Sequence, residues 1–313
     1  MCTAISLKIK DHYFGRNLDY FHTFGEKVTI TPRNYTFNFK HREAISSHFA
    51  IIGMALPQDN YPLYFDATNE AGLSMAGLNF PENAVYRDFF PGKENIASFE
   101  LIPYILSECK STDDALALLK KINITNDYFS TDFPPTPLHW IISDKNKSLT
   151  LEQTYKGLTI YENSFGVLTN NPPFDIQSFN INNYMSLSAN SPDNTFSENL
   201  ALNTYSAGLG GLGLPGDFSS MSRFVKASFL KLNSICADTE NEAINQFFNI
   251  LYSVYQIRGC VKTKEGYEIT NYSSCCNTDK RIYYLTTYND KNIKSYDMYK
   301  EDIDASTLII YDF

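Results

Sequence analysis

Met1-Cys2-Thr3-Ala4-Ile5-Ser6-Leu7-Lys8-Ile9-Lys10-Asp11-His12-Tyr13-Phe14-Gly15-Arg16-Asn17-Leu18-Asp19 is the stretch that decides how the chain is read. Thr3 to Ile9 and Tyr13 to Leu18 carry strand-type patterning, and the polar residues near Asp11-His12 suit a tight return between them. Such a hairpin lays Phe14-Gly15-Arg16-Asn17-Leu18-Asp19 beside Cys2. A small residue after the initiator methionine permits removal of Met1, leaving a thiol and a free α-amine on one residue. A terminal amine ordinarily titrates at about 7.7–8.0 and a thiol at about 8.5, so one residue then holds a nucleophile and a general base of similar proton affinity. Arg16 can stabilise a thiolate, and Asp19 can hold the amine. Alone, Cys2 is a cysteine that happens to follow Met1, and Arg16 and Asp19 are ordinary ion-pair residues; their adjacency gives them a chemical reading.

Outward from the hairpin, Lys27 to Pro32, Tyr35 to Phe39, His48 to Met54 and Ser74 to Phe80 also read as strands, so the first eighty residues suggest one meandering antiparallel sheet. A helical pair follows, Ser98 to Glu108 and Thr112 to Ile122, with Ser111-Thr112-Asp113-Asp114 supplying cap-type residues. Pro137 to Ser143, Ser148 to Thr154, Leu158 to Asn163 and Gly166 to Thr169 suggest a second antiparallel set, then a helix around Ile176 to Ser186. Helices at Ser220 to Ile235 and Thr239 to Tyr255 precede closing strands near Ile282 to Tyr288 and Ile293 to Met298. Blocks of strands alternating with pairs of helices cannot be wound as βαβ units, which predicts an α+β chain of packed antiparallel sheets covered by helices. No linker divides residues 1–313, so one domain is expected.

Composition excludes several classes. The 313 residues are 43% hydrophobic and 19% charged, enough for a sizeable core, and 22 Tyr with 23 Phe favour a β-rich interior or an apolar cleft. Lys and Arg number 26 against 35 Asp and Glu, a net charge of −9 without a basic block, which argues against nucleic-acid or anionic-membrane partners. No apolar run approaches a membrane span, and the start lacks the pattern of a signal peptide, so a cytoplasmic location and no membrane insertion are expected. The six cysteines show no CxxC pair and the five histidines no HExxH or HxH spacing, so neither disulfides nor a metal or other cofactor is expected. Gly208-Leu209-Gly210-Gly211-Leu212-Gly213-Leu214-Pro215-Gly216-Asp217 lacks the GxxxxGK[ST] pattern and reads as a shaped loop rather than a phosphate cradle.

Two asparagines stand at the ends of apolar strands, Asn79 in Ala76-Gly77-Leu78-Asn79-Phe80-Pro81 and Asn170 in Leu168-Thr169-Asn170-Asn171-Pro172. An amide N–H there can point at a developing oxyanion, although each residue unaided is a turn asparagine. His139 before Trp140 reads as structural.

These segments, with Tyr61-Pro62-Leu63-Tyr64-Phe65-Asp66, Asn69-Glu70-Ala71-Gly72-Leu73, Gly166-Val167-Leu168-Thr169-Asn170, Leu214-Pro215-Gly216-Asp217 and Ser222-Arg223-Phe224, make the whole chain resemble the choloylglycine hydrolase family by their order and spacing. The resemblance implies an αββα four-layer sandwich of the N-terminal nucleophile type. It also implies a homotetramer and cleavage of the amide of glycine- or taurine-conjugated bile salts or of penicillin V. Residue by residue, it makes Cys2 the nucleophile, sets Arg16 and Asp19 beside it, gives Asn79 and Asn170 to the oxyanion and adds Arg223 as a further active-site arginine. Asn79 stands where the penicillin V branch commonly has Tyr, which tilts the reading toward bile salts.

Burial of a sterol body would come from apolar walls. The candidates are Leu18, Phe24 and Phe65, with Tyr20 and the Asp127 to Leu138 loop bearing Phe129 and Phe133; core packing is the competing role for all of them. Tyr205-Ser206-Ala207-Gly208 lies where relatives vary near the substrate. The alternatives are penicillin V acylase, the same chemistry on another acyl group, and an inactive carrier of apolar ligands that keeps the fold and the cleft.

Overall fold

The computed structural model describes residues 1–313. Along the chain run β1 (Cys2–Lys8), β2 (His12–Tyr20), β3 (Lys27–Thr31), β4 (Ile51–Gln58), β5 (Tyr61–Asn69) and β6 (Ser74–Asn79). β7 (Glu94–Ala97) leads through a 3-10 turn into α1 (Leu101–Glu108) and α2 (Thr112–Leu119), and β8 (Ile122–Thr125) returns parallel to β7. β9 (Leu138–Ser143), β10 (Ser148–Thr154), β11 (Gly157–Glu162) and β12 (Val167–Leu168) precede α3 (Phe174–Asn180). After α4 (Ser220–Asn233) and α5 (Glu240–Tyr252) come β13 (Ile269–Asn277), β14 (Ile282–Thr287), β15 (Lys294–Asp297) and β16 (Ile309–Tyr311). No helix is long and apolar enough to cross a membrane.

Two large antiparallel sheets take most of the strands, one of six in the order β12-β1-β2-β13-β14-β15 and one of eight in the order β11-β10-β9-β6-β5-β4-β3-β16. Helix α1 lies on β5 and β6, α4 on β1 and β12, and α5 on β13 and β2, while β1 and β2 face β6 across the middle. The expected αββα sandwich is the observed architecture. Strand periodicity explains its two cores: in β4, Ile52 and Met54 enter one buried cluster and Ile51 and Ala55 the other, and in β9 Ile141 is divided in the same way from Trp140 and Ile142. A strand covered on both faces reads as a continuous apolar run.

Side chains cap the helices as their sequences promise. Ser111 accepts the Asp114 N–H at the start of α2, and Ser219 and Thr239 serve α4 and α5 in the same way.

Several expectations are corrected. The first eighty residues are split between the sheets: β2 pairs with β13 on its far side, leaving β3 no edge to join, and β3 to β6 build the larger sheet. The presumed second set is split too, since β9 continues that sheet through β6 while β12 pairs with β1 through Ala4 and Ile5. Tyr35 to Phe39 is no strand; Phe37 makes a single bridge to Ile45, and its aromatic rings are buried against Tyr61, His48 and Tyr104 instead. The strand expected from His48 begins at Ile51, and β5 follows it over Tyr61–Asn69. Helix α2 stops at Leu119 because Ile122 is taken by β8. The helix expected over Ile176 to Ser186 starts earlier, at Phe174, and tightens to a 3-10 turn at Ile181–Tyr184.

Candidate active site

The opening hairpin forms with Cys2 opposite Leu18, Thr3 opposite Asn17 and Lys8 opposite His12. Met1 extends the ladder: the Asp19 N–H donates to the Met1 carbonyl at 2.9 Å, and the Met1 amine donates to the Asp19 carbonyl at 2.7 Å and to Glu268 Oε2 at 2.9 Å. Cys2, Arg16, Asp19, Asn170 and Arg223 are all buried, and Asn79 is half-buried.

The backbone of Cys2 is held on both sides. Its N–H donates to Asn170 Oδ1 at 2.7 Å, and its carbonyl accepts from Arg223 Nη1. The same guanidinium donates to Thr3 Oγ1 at 2.6 Å, Asn170 Oδ1 at 2.9 Å and the Phe218 carbonyl at 3.0 Å. Such a spread of acceptors suits a planar fork of five N–H donors, which a lysine cannot supply. Asn170 Nδ2 donates to the Asn79 carbonyl at 2.7 Å, which joins the two asparagines expected at the oxyanion. Gln177 and Ser220 fix the Asn170 backbone in turn.

Arg16 crosses between the sheets. Its Nη1 donates to the carbonyls of Phe65 at 3.1 Å and Gly77 at 2.5 Å on the larger sheet, while its own N–H donates to Ser274 Oγ on β13. Burial works against its charge, yet Cys2, Tyr272, Asp66 and Asp19 together hold its pKa above the ordinary value. Asp66 is itself buried and accepts from the hydroxyls of Tyr272 at 2.7 Å, Tyr283 at 2.7 Å and Ser274 at 3.1 Å.

Asp19 carries the Met1 amine on its main-chain carbonyl, with Glu268 as that amine's other partner. Asp19 Oδ1 accepts from Thr270 Oγ1 at 2.6 Å; Oδ2 lies 4.0 Å from Arg223 Nη1 and has no hydrogen bond. Burial pushes this carboxyl above its usual range, opposed by Arg223, the terminal amine and Thr270. Burial likewise lowers the pKa of Arg223, opposed by Asp19 and Cys2.

Of the proposed apolar walls, Phe24 and Phe65 meet with ring centroids 5.6 Å apart, and Tyr20 joins Phe24 at 4.8 Å. Leu18 is 5% exposed and belongs to the buried core between the elements. Phe129 and Phe133 pack together, and Phe129 joins Tyr61 and Phe99 beside the other core cluster rather than Phe24. Tyr205 is exposed, and the glycine-rich stretch packs through Gly210 on Ser188 and Asn190. His139 is structural as expected, stacked on Phe80 at 4.2 Å and bonded to Glu152 and the Thr169 carbonyl.

Glu268, Thr270 and Tyr272 were missed because β13 was. Ile269-Thr-Asn-Tyr-Ser-Ser-Cys-Cys-Asn277 is polar yet buried from Thr270 onward. Its β-branched and aromatic start, bounded by Gly266 and the Asn277-Thr278-Asp279 turn, was the available signal.

Comparison with known proteins agrees with this geometry. Residues 2–311 match the model of the linear amide C–N hydrolases, choloylglycine hydrolase family. A protein of Lactiplantibacillus plantarum named bile salt hydrolase/transferase is 49% identical over 312 residues, covering 99% of this chain and 96% of that protein. One of the same name from Clostridium perfringens is 36% identical over 100% of this chain and 97% of its own length. A mutant conjugated bile acid hydrolase from Clostridium perfringens superposes with a TM-score of 0.92 at 35% identity, covering 100% of this chain and 97% of that one. The penicillin V acylase of Agrobacterium tumefaciens shares the fold, with a TM-score of 0.76 at 19% identity over 98% of this chain and 90% of that one. With Cys2 clamped at the head of a two-sheet sandwich and a family match spanning nearly every residue, the chain belongs to the choloylglycine hydrolase family of linear amide C–N hydrolases.

Proposed function

We propose that this chain hydrolyses the amide bond of glycine- or taurine-conjugated bile salts, with Cys2 as nucleophile once Met1 is removed and residues 1–313 acting as one unit. The observation that carries the reading is the full-length likeness to a protein named bile salt hydrolase/transferase, in a chain whose buried cysteine stands at position 2.

The Cys2 thiolate attacks the amide carbon, forming the C–S bond and an oxyanion. The freed α-amine of Cys2 carries the thiol proton to the departing nitrogen, so the C–N bond breaks as glycine or taurine leaves and a thioester remains. Water then attacks the thioester, passing its proton back through the amine to restore the thiol and release the bile acid. Asp19 holds the amine and Arg16 stabilises the thiolate. Asn170 Nδ2 spends one N–H on the Asn79 carbonyl and keeps the other for the oxyanion, with the Asn79 amide beside it. Arg223 acts by fixing the Cys2 carbonyl and Asn170. Phe24 and Phe65, with Leu18 behind the nucleophile, form the apolar wall for the sterol.

The same reading takes the enzyme as a cytoplasmic homotetramer. Six unpaired cysteines support the compartment. Large apolar side chains left in water, Phe179 on α3 and Phe196, Tyr205 and Leu212 on the segment between α3 and α4, support self-association.

The test is release of glycine from glycocholate and taurine from taurocholate by Met1-processed protein, with penicillin V in parallel. Faster bile-salt cleavage, abolished by Cys2→Ala, is the expected result. Cleavage of penicillin V alone overturns the substrate but keeps Cys2, and binding without turnover by the unaltered chain favours a carrier.

A further inference from the structure

The ladder between β2 and β13 breaks at one place. Thr270 stands opposite Asp19 and Tyr272 opposite Leu18, so Asn271 is an extra residue in the strand. Such bulges re-aim the side chains around them. Here the two consecutive residues serve different parts of the site.

Thr270 is fully buried. Its Oγ1 accepts the Gln256 N–H at 2.8 Å, and its backbone N–H donates to the Gln256 carbonyl at 3.2 Å. A hydroxyl has one proton to give. With Gln256 donating from one side, that proton goes to Asp19 Oδ1, 2.6 Å away, which fixes the carboxylate plane and leaves the buried Oδ2 without a partner. Asn271 turns the other way: its Nδ2 donates at 2.7 Å to the carbonyl of His22. His22 sits within the aromatic loop whose rings pass contact from Tyr20 and His22 to Phe24 and on to Phe65.

We propose that the β13 bulge is a double positioning device, in which Thr270 orients the Asp19 carboxylate toward the α-amine of Cys2 and Asn271 orients the aromatic wall that receives the acyl group. This rests on the amide-hydrolase reading above. Neither residue touches the reacting atoms. Each acts through another, and the two effects are separable because the bonds leave the strand from successive residues to different targets.

The experiment compares Thr270→Val, Thr270→Ser and Asn271→Ala in the full chain, on glycocholate, across pH. Thr270→Val keeps the shape and removes the proton donor to the ionised Asp19, so kcat falls about 10- to 100-fold with KM within about twofold. The same loss favours the protonated carboxyl, and the acid limb of the pH profile moves to higher pH. The charged and titratable groups around Asp19 are untouched in these variants: Arg223 from α4, the amine freed on Cys2 at the head of β1, Glu268 ahead of β13, Tyr255 after α5 and Arg16 on β2. Thr270→Ser restores both rate and profile. Asn271→Ala raises KM about 5- to 10-fold and largely spares kcat.

Unchanged kinetics in Thr270→Val, a Thr270→Ser as impaired as Thr270→Val, or an Asn271→Ala that acts on kcat alone overturns the proposal. A second arm needs no bile salt: iodoacetamide alkylation of Cys2, followed on the N-terminal peptide by mass spectrometry across pH. A shifted profile in Thr270→Val supports the device and coincident profiles overturn it, even where failure of the unaltered chain to cleave glycocholate has removed the substrate reading. Thermal unfolding is run on each variant, and Thr270→Ala replaces Thr270→Val under the same criteria if the latter does not fold.

Discussion

Cys2 is buried at the one position where loss of a single residue turns an amide nitrogen into an amine. Its backbone is held by one side-chain acceptor and one side-chain donor. Arg223 binds its carbonyl, Asn170 its N–H, and Arg16 lies close enough to sense its charge. The proposed thiolate mechanism gives a sharp expectation for Cys2→Ser. A hydroxyl ionises far less readily than a thiol, so kcat/KM should fall by about 10³-fold or more with the fold intact. Amino-acid release from glycocholate measures it, and near-normal turnover would contradict a thiolate nucleophile. The arrangement of Cys2, Arg16 and Asp19 was legible because all three lie within one hairpin, where local pairing sets the neighbours. Thr270 and Glu268 were not, because they arrive from some 250 residues away on a strand of polar composition.

At the level of elements, the seam between β2 and β13 backs Arg16 and Asp19 and leaves no room at Gly15. A Cβ at Gly15 would lie 2.0 Å from the Ser274 carbonyl, a backbone atom that cannot swing aside. Gly15→Ala should therefore cost about 1–3 kcal/mol or more, read as a lower urea midpoint at unchanged slope. The turn of the opening hairpin adds a pH dependence. His12 is buried, with Ser6 Oγ 2.9 Å from Nε2 and Thr278 Oγ1 2.8 Å from Nδ1, and burial lowers its pKa to about 4 despite Asp279 and Asp144. Between that value and the 6.5 of a free imidazole the unfolded chain binds a proton that the folded chain does not. His12 thus contributes stability that is complete above about pH 6.5 and lost as pH falls toward 4, roughly 3 kcal/mol in all. Urea unfolding at several pH values should show a flatter profile for His12→Gln; equal slopes would reject the assignment.

The whole molecule is a sandwich whose two sheets are tied by polar groups at the site as well as by apolar packing elsewhere. Arg16 reaches from the six-stranded sheet to two carbonyls of the other, and Asp66 reaches back to Tyr272, Tyr283 and Ser274. Every group in that tie has a partner, which makes the inter-sheet spacing at Cys2 unique rather than merely compact. Helix α3 and the segment that follows it expose large apolar side chains: Phe179 is 75% exposed, Phe196 82% and Tyr205 85%. Covering these side chains is the expected work of a tetramer contact. Sedimentation analysis of the purified chain should give a tetramer, and replacing Phe179, Phe196 and Tyr205 together by Ser should shift it to smaller species. A wild-type chain that sediments as a monomer at micromolar concentration would sink that reading.

The order of residues alone was enough for the sandwich class, the opening hairpin and the placing of Cys2 in one hairpin with Arg16 and Asp19. Strand period, helix caps and a two-strand register are local properties, and the order of short motifs carried the family. Tertiary structure alone decided which sheet each strand joins. It also decided that a polar strand near the C-terminus fills the centre of the smaller sheet, and that Thr270 rather than a neighbour of Asp19 in sequence holds its carboxylate. The physical reason is that burying a polar group costs little once it is hydrogen-bonded. The partners that make β13 a core strand are spread over β2, β5 and the segment after α5, so no window of its own sequence could announce them.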